Sequence, residues 1–257
     1  MQKIIKIGDK VPGQNFWRIL LNKWFEIMDE YVKESKNDLP YWHSERANTG
    51  FLAAAAWKID ALAIEEYYTD RVYASGRYKG QCDLWIKYNN FEFSAEAKQL
   101  WRKEYDKKLV ERKFEESKGQ LISIPDREKE EKSFCICYLS LMSSSKSRPH
   151  DLNVIAKKIK DDFVKDEEII LALYAPDIAE EKIIWPPNKH RFPCIVLFIK
   201  SVKIEKLMNN QKQIEEWSKL YARQMTEEEY IEIRDNLAAY FELLHEAYMD
   251  EKNKNRK

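Results

Sequence analysis

Between Asn15 and about Lys33, apolar residues recur every three or four positions at Phe16, Ile19, Leu20, Trp24, Ile27, Met28 and Tyr31. That period predicts an amphipathic helix, ended by Asn37-Asp38-Leu39-Pro40. A second helix is predicted from Ser44 to about Tyr68, apolar on most of its circumference over Phe51 to Trp57 and therefore a core helix. Three segments of strand character follow, Arg71–Tyr78, Gln81–Tyr88 and Phe91–Gln99, the last two separated by Asn89-Asn90 as a tight turn. They predict an antiparallel meander.

A charged helix is expected from Tyr105 to Ile124, with Leu109, Phe114, Leu121 and Val110 turned inward and Pro125-Asp126 as its stop. The run Phe134 to Met142 is almost continuously apolar, as a strand buried on both faces requires. A helix over Leu152–Val164, a strand over Glu168–Tyr174, a loop containing Trp185-Pro-Pro-Asn188 and a strand over Cys194–Val202 complete an α/β pattern of the α+β type. Two helices close the chain, about Lys206–Arg223 and Thr226–Met249, the second opened by a Thr226-x-x-Glu229 capping box. No internal repeat and no long Gly, Ser or Pro linker interrupts the 257 residues, which predicts one domain: a core over about 44–142, further α/β elements over 150–204 and helices over 205–250.

Composition narrows the function classes. Lys+Arg and Asp+Glu number 44 each, so a wholly polybasic protein is excluded and any nucleic-acid contact must be local. The four cysteines, Cys82, Cys135, Cys137 and Cys194, form no CxxC pair and are expected as buried, reduced thiols. The polar N-terminus has no secretory apolar region and Phe51–Trp57 is too short to span a bilayer, so a cytoplasmic protein with no membrane contact is expected.

Phosphate-loop, dinucleotide, zinc-protease and serine-hydrolase signatures are all absent. Asp83 remains, in Gly80-Gln-Cys-Asp-Leu-Trp-Ile86, with Glu96-Ala-Lys98-Gln99 thirteen residues later. Across a short hairpin Asp83 and Glu96 can meet, and Glu96 and Lys98, two apart, share a face. Two carboxylates with a lysine suit hydrolysis assisted by Mg²⁺ or Mn²⁺: the carboxylates offer hard oxygen ligands, and the lysine steers water and offsets transition-state charge. Acid-x-Lys occurs eight times in the chain, so the preceding Asp and strand context carry the signal rather than the tripeptide. A plainer reading is a cross-strand ion pair on a solvated sheet edge.

Asp83…Glu96-x-Lys98 after an Ala-rich helix resembles the PD-(D/E)XK, or restriction-endonuclease-like, nuclease superfamily. Its core order of helix, three-strand meander, helix and strand matches the order from Ser44 to Met142. The resemblance implies metal binding by Asp83 and Glu96, assistance by Lys98, a Gln at Gln99 as in some members, and a completing Glu on the preceding helix. Glu45 is preferred for that last place over Glu65 and Glu66. Cys82 stands where the named pattern has Pro.

The implied activity is a metal-dependent nuclease, with DNA ahead of RNA as substrate and a homodimer or two sequential nicks for double-strand cutting. A non-catalytic nucleic-acid- or protein-binding module on the same fold is the alternative. Basic residues outnumber acids eight to five over 98–118, and Arg77, Lys79, Arg102 and Lys103 are candidates to grip the phosphate backbone. A solvated helix with i,i+4 pairs explains the same charges. Trp85, Tyr88, Phe91 and Trp101 offer rings to nucleic-acid bases or to the sheet's own packing.

Overall fold

In the computed structural model the described residues are 2–35, 38–73, 76–125, 132–144, 152–163, 165–176, 184–185 and 190–203, with single positions 218, 219, 226, 229 and 233 further on. The chain divides into two compact units. The larger is Met1–Tyr67 with Gln81–Leu121 and Glu130–Lys203. The smaller is Tyr68–Gly80 with Ile122–Lys129 and Ile204–Lys257.

Strand β1 (Gln2–Ile7) precedes α1 (Gln14–Glu34). Helix α1 begins at Gly13, whose φ of 72° lies in the left-handed region and where a Cβ would stand 2.5 Å from the Phe91 ring, so only glycine fits. Its buried stripe is Phe16, Trp17, Leu20, Leu21, Trp24, Phe25, Met28 and Val32, rotated from the expected one so that Ile19 is exposed. Helix α2 (Glu45–Trp57) is capped by the Ser44 hydroxyl, which accepts from Ala47 N at 3.3 Å.

Helix α2 stops eleven residues short of the expected Tyr68. Asp60 adopts φ 60°, Ala61 N donates to Ala56 O at 3.0 Å and Asp60 N to Trp57 O at 3.3 Å, which is the paired bonding of a Schellman stop. Strand β2 (Leu62–Tyr73) then occupies the end of the expected helix, and β3 is Gly76–Tyr88. The expected strand Arg71–Tyr78 therefore straddles two strands.

Asn89, at φ 52°, and Asn90 turn β3 into β4 (Phe91–Arg102), with Tyr88 opposite Phe91. Helix α3 (Lys107–Ile122) buries Val110, Phe114, Ser117 and Leu121, while Leu109 is only half-buried. Strand β5 (Ser133–Ser144), α4 (Leu152–Asp162), β6 (Ile169–Ala175), the two-residue β7 (Ile184–Trp185) and β8 (His190–Val202) follow. Strand β1 is an addition to the expected elements, and β7 ends in the segment expected as loop.

The strands form one sheet in the order β1-β6-β8-β5-β4-β3-β2, with β7 beside β8. The β4–β5 pair is parallel, bridged by α3, and β1–β6, β3–β4, β5–β8 and β6–β8 are antiparallel. The chain is thus of mixed α/β class, with a sheet larger than the predicted meander.

Alternate residues of the central strands serve opposite layers. Phe93, Ala95 and Ala97 of β4 and Phe134, Ile136 and Tyr138 of β5 pack in the cluster with α1 and α2. On the other face Phe198 meets Tyr105, stacked at 6.2 Å, and Phe163 at 5.6 Å. Burial on both sides explains why β5 reads as one apolar run.

In the smaller unit, Val72 N donates to Ser123 O at 2.6 Å. The capping box forms as expected: Glu229 N donates to Thr226 Oγ1 at 3.2 Å and Thr226 N to Glu229 Oε2 at 3.0 Å. The rest of the two predicted C-terminal helices lies outside the described residues. All four cysteines are buried, reduced thiols, as expected. No helix among the described residues is long and apolar enough to cross a membrane.

Candidate active site

The β3–β4 register ends at Leu84 opposite Ala95. Beyond it, the β4 edge still carries backbone groups that a paired strand would satisfy, and side chains take them instead. Asp83 Oδ2 accepts from Ala97 N at 2.7 Å, Lys98 Nζ donates to Ala97 O at 2.6 Å, and Cys82 Sγ lies 3.4 Å from Ala95 O. The Glu45 carboxyl, at the first turn of α2, lies where the charges of Lys98 and Asp83 and the Gln99 backbone N–H bear on it. Asp83, Lys98 and Glu45 are thus brought together where β3 leaves β4.

Lys98 Nζ stands 4.0 Å from Asp83 Oδ2, and both side chains are three-quarters sheltered or more. Burial, ahead of the attraction of Lys98 and the repulsion of Asp83, lifts the Glu45 carboxyl above its ordinary range. A cavity of about 30 Å³ is lined by Glu45, Arg46, Thr49, Glu65, Glu66 and Asp83. That is room for one or two water-sized groups.

Glu65 and Glu66 are strand residues of β2, not helix-end charges. Consecutive side chains of a regular strand point to opposite faces, yet both line this cavity. Glu66 has φ 47°, and this left-handed residue breaks the alternation as a bulge does. Glu66 pairs with Arg46 Nε at 2.8 Å, and burial raises the Glu65 pKa, partly offset by Arg46. A single irregular residue inside a strand leaves no mark in a hydrophobic pattern, so sequence reasoning has no means of placing this pair.

Glu96 lies in the strand between Ala97 and Ala95 but is 1% exposed, and its charge bears on the Cys135 thiol directly across the β4–β5 pair. The Gln99 side chain turns to the α2 layer, where Asn48 Nδ2 donates to its Oε1 and its Nε2 donates to Ser140 Oγ, each at 2.8 Å. Among the described residues, no three His, Cys, Asp or Glu side chains stand close enough together to hold a metal ion.

The basic candidates fall in two places. In the smaller unit Arg77 and Lys79 are both paired with Asp70, Lys79 at 2.7 Å, and Lys79 foremost holds that carboxyl below its ordinary range. In the larger unit Arg102 and Lys103 are exposed at the end of β4 and line a groove of about 940 Å³. Of the aromatic candidates, Tyr88 and Phe91 pack on Phe16 at 5.5 and 5.2 Å, Trp85 Nε1 donates to Glu92 at 3.1 Å, and Trp101 alone stands in the groove.

Comparison with protein-family models, with curated proteins and with solved structures gives no match.

Proposed function

We propose that the chain is a metal-dependent phosphodiesterase that hydrolyses nucleic acid, DNA ahead of RNA, on a restriction-endonuclease-like core made of α2, β2, β3, β4, α3 and β5. The observation that carries this reading is the convergence of Glu45, Asp83 and Lys98 at the point where β3 leaves β4. A nuclease site needs carboxylates to hold a hard cation and a fixed ammonium beside them.

The donor chemistry fits Mg²⁺ or Mn²⁺. Asp83 and Glu45 are hard oxygen ligands, and burial leaves the Glu45 carboxylate short of compensating charge. Bound there, the cation supplies Lewis-acid polarisation of a phosphoryl oxygen and lowers the pKa of a coordinated water.

The chain's own residues do the rest. The backbone N–H of Ala97 aims Asp83, and Lys98, anchored on the Ala97 carbonyl, holds the attacking water and offsets charge on the phosphoryl oxygens. Glu96 is the second ligand by resemblance. Glu96 is 1% exposed, and Glu45, whose carboxyl feels the Asp83 charge, is the carboxylate this reading sets beside Asp83.

Supercoiled plasmid, single-stranded DNA and RNA incubated with Mg²⁺, Mn²⁺ or EDTA test the proposal, with Lys98→Ala and Asp83→Asn alongside. Metal-dependent cleavage that drops at least about a hundredfold in each variant is expected. A folded variant as active as the parent removes that residue from the mechanism.

The second reading, a non-catalytic nucleic-acid- or protein-binding module, is favoured by the 1% exposure of Glu96 and by the spread of the carboxylates. Metal-independent binding that survives Lys98→Ala, with no cleavage of any polymer, supports it.

A further inference from the structure

The parallel strands β4 and β5 end at a groove of about 940 Å³ lined by Trp101 to Leu109, Glu111, Met142, Lys158 and Asp162. Most charges along it are committed within the fold. Asp106 caps the Lys108 N–H at 2.9 Å, Glu111 pairs with Lys107 at 3.7 Å, and the Asp162 carboxyl faces Tyr105, over whose ring Lys158 lies at 5.6 Å. Arg102, Lys103 and the Lys108 side chain make no such contact among the described residues, against the single uncommitted acid Glu104. The groove therefore presents a net positive charge supplied by its free cations.

Trp101 stands among them, 39% exposed, the largest apolar side chain on this wall. An indole partly exposed between uncommitted cations matches the stacking-plus-phosphate arrangement of single-strand binding grooves. A duplex presents its phosphates but keeps its base faces stacked, so it uses the cations and leaves the indole idle.

We infer that this groove holds a single-stranded stretch of nucleic acid, with a base stacked on Trp101 and flanking phosphates on Arg102, Lys103 and Lys108. The inference rests on the nuclease reading and adds the strand state of its substrate. Trp101 follows Lys98 by three residues of β4, about 10 Å along the strand and on the opposite face, whereas Arg102, four residues on, shares the face of Lys98, so the phosphate contacts of the groove are the ones that lie on the side of the reaction site.

The test is fluorescence anisotropy of the full chain in EDTA, where cleavage is suppressed, with labelled single-stranded DNA, single-stranded RNA and duplex DNA of one sequence across a salt series. Either single strand is expected to bind at least about tenfold tighter than duplex. Trp101→Ala should weaken that binding roughly five- to a hundredfold, and Trp101→Phe much less. Arg102→Ala with Lys103→Ala should lower the slope of log affinity against log salt by about 1.4, about 0.7 for each phosphate that no longer meets a cation.

Duplex bound as tightly as single strand, or Trp101→Ala binding like the parent, overturns the inference. Cleavage assays on the same protein separate the two proposals. Trp101-dependent binding without metal-dependent cleavage sinks the nuclease reading alone, and cleavage indifferent to Trp101 and to strand state sinks the groove alone.

Discussion

Gln99 offers a sharp way to separate packing from catalysis. Its amide bridges Asn48 of α2, which is fully buried, and Ser140 of β5, also fully buried, through two bonds of 2.8 Å. Gln99→Leu removes both bonds. Asn48 keeps its bond to Ser44 O at 3.1 Å, and Ser140 keeps its bond to Tyr41 O, so each partner retains a hydrogen bond.

At about 1 kcal/mol for each bond removed, and a further penalty of about 1 kcal/mol for each buried group left short, the substitution should cost roughly 2–4 kcal/mol. With a urea dependence near 3 kcal/mol per molar, the unfolding midpoint should fall by about 1 M. The bonds that hold Asp83 and Lys98 on Ala97 do not use the Gln99 side chain, so the folded fraction should keep its cleavage rate within a few-fold. Urea titration followed by tryptophan fluorescence gives the midpoint, and a cycle with Asn48→Leu gives the coupling. A parent-like midpoint, a coupling under about 0.3 kcal/mol, or a lost rate with unchanged stability would refute the packing role.

Glu45 makes stability depend on pH. Because its folded-state pKa is raised, the folded protein holds a proton that the unfolded chain has released, so stability should fall as pH rises from the ordinary value of 4.5 through the raised one. Glu45→Gln should flatten that fall in denaturation midpoints measured across this window, and an unchanged pH profile would sink the assignment. Burial pushes the Cys135 and Cys194 thiols up to about 12, and Cys137 higher as well. Native protein at pH 8 should therefore leave a thiol reagent unreacted until denaturant releases all four cysteines; fast titration of the native chain would contradict this. Phe93, fully buried with Trp17 at 5.0 Å and Phe134 at 4.9 Å, should cost about 3–5 kcal/mol as Phe93→Ala, and a loss under 1 kcal/mol in the same titration would show that the ring cluster collapses to fill the space.

Where one principle governs an element, the sequence is readable. The three-to-four spacing of α1, the Asn89-Asn90 turn, the apolar run of β5 and the Thr226–Glu229 box each depend on a few neighbouring residues. Asp60 shows the limit. A helix stop that uses glycine is easy to see, but aspartate in the left-handed region is a weaker mark, and without it the pattern carries the helix on into the first half of the Leu62–Tyr73 strand.

The site divides the same way. Asp83 and Lys98 are legible from the hairpin that separates them, and Glu45 only from the family resemblance, which favours an early helix position. The departure of β3 from β4 is not, because the hydrophobic pattern runs on past Leu84, and neither is the burial of Glu96, because its strand pairs with β5 beyond an intervening helix. The cavity position of Glu65 and Glu66 depends on one dihedral angle.

The edge position of β1 also governs when the fold can be completed. Gln2 pairs with Ala175 and Ile7 with Ile170, so during synthesis β1 finds its partner only after some 160 to 170 further residues have been made. At about 5–20 residues per second that is a wait of roughly ten to thirty-five seconds. Throughout it, Ile4, Ile5 and Ile7 have no strand to lie against, and the growing chain depends on α1, complete early and local in its contacts, to keep that end from straying. The order of synthesis and the order of the sheet run against each other, and this edge of the sheet is closed by a strand made long before its partner.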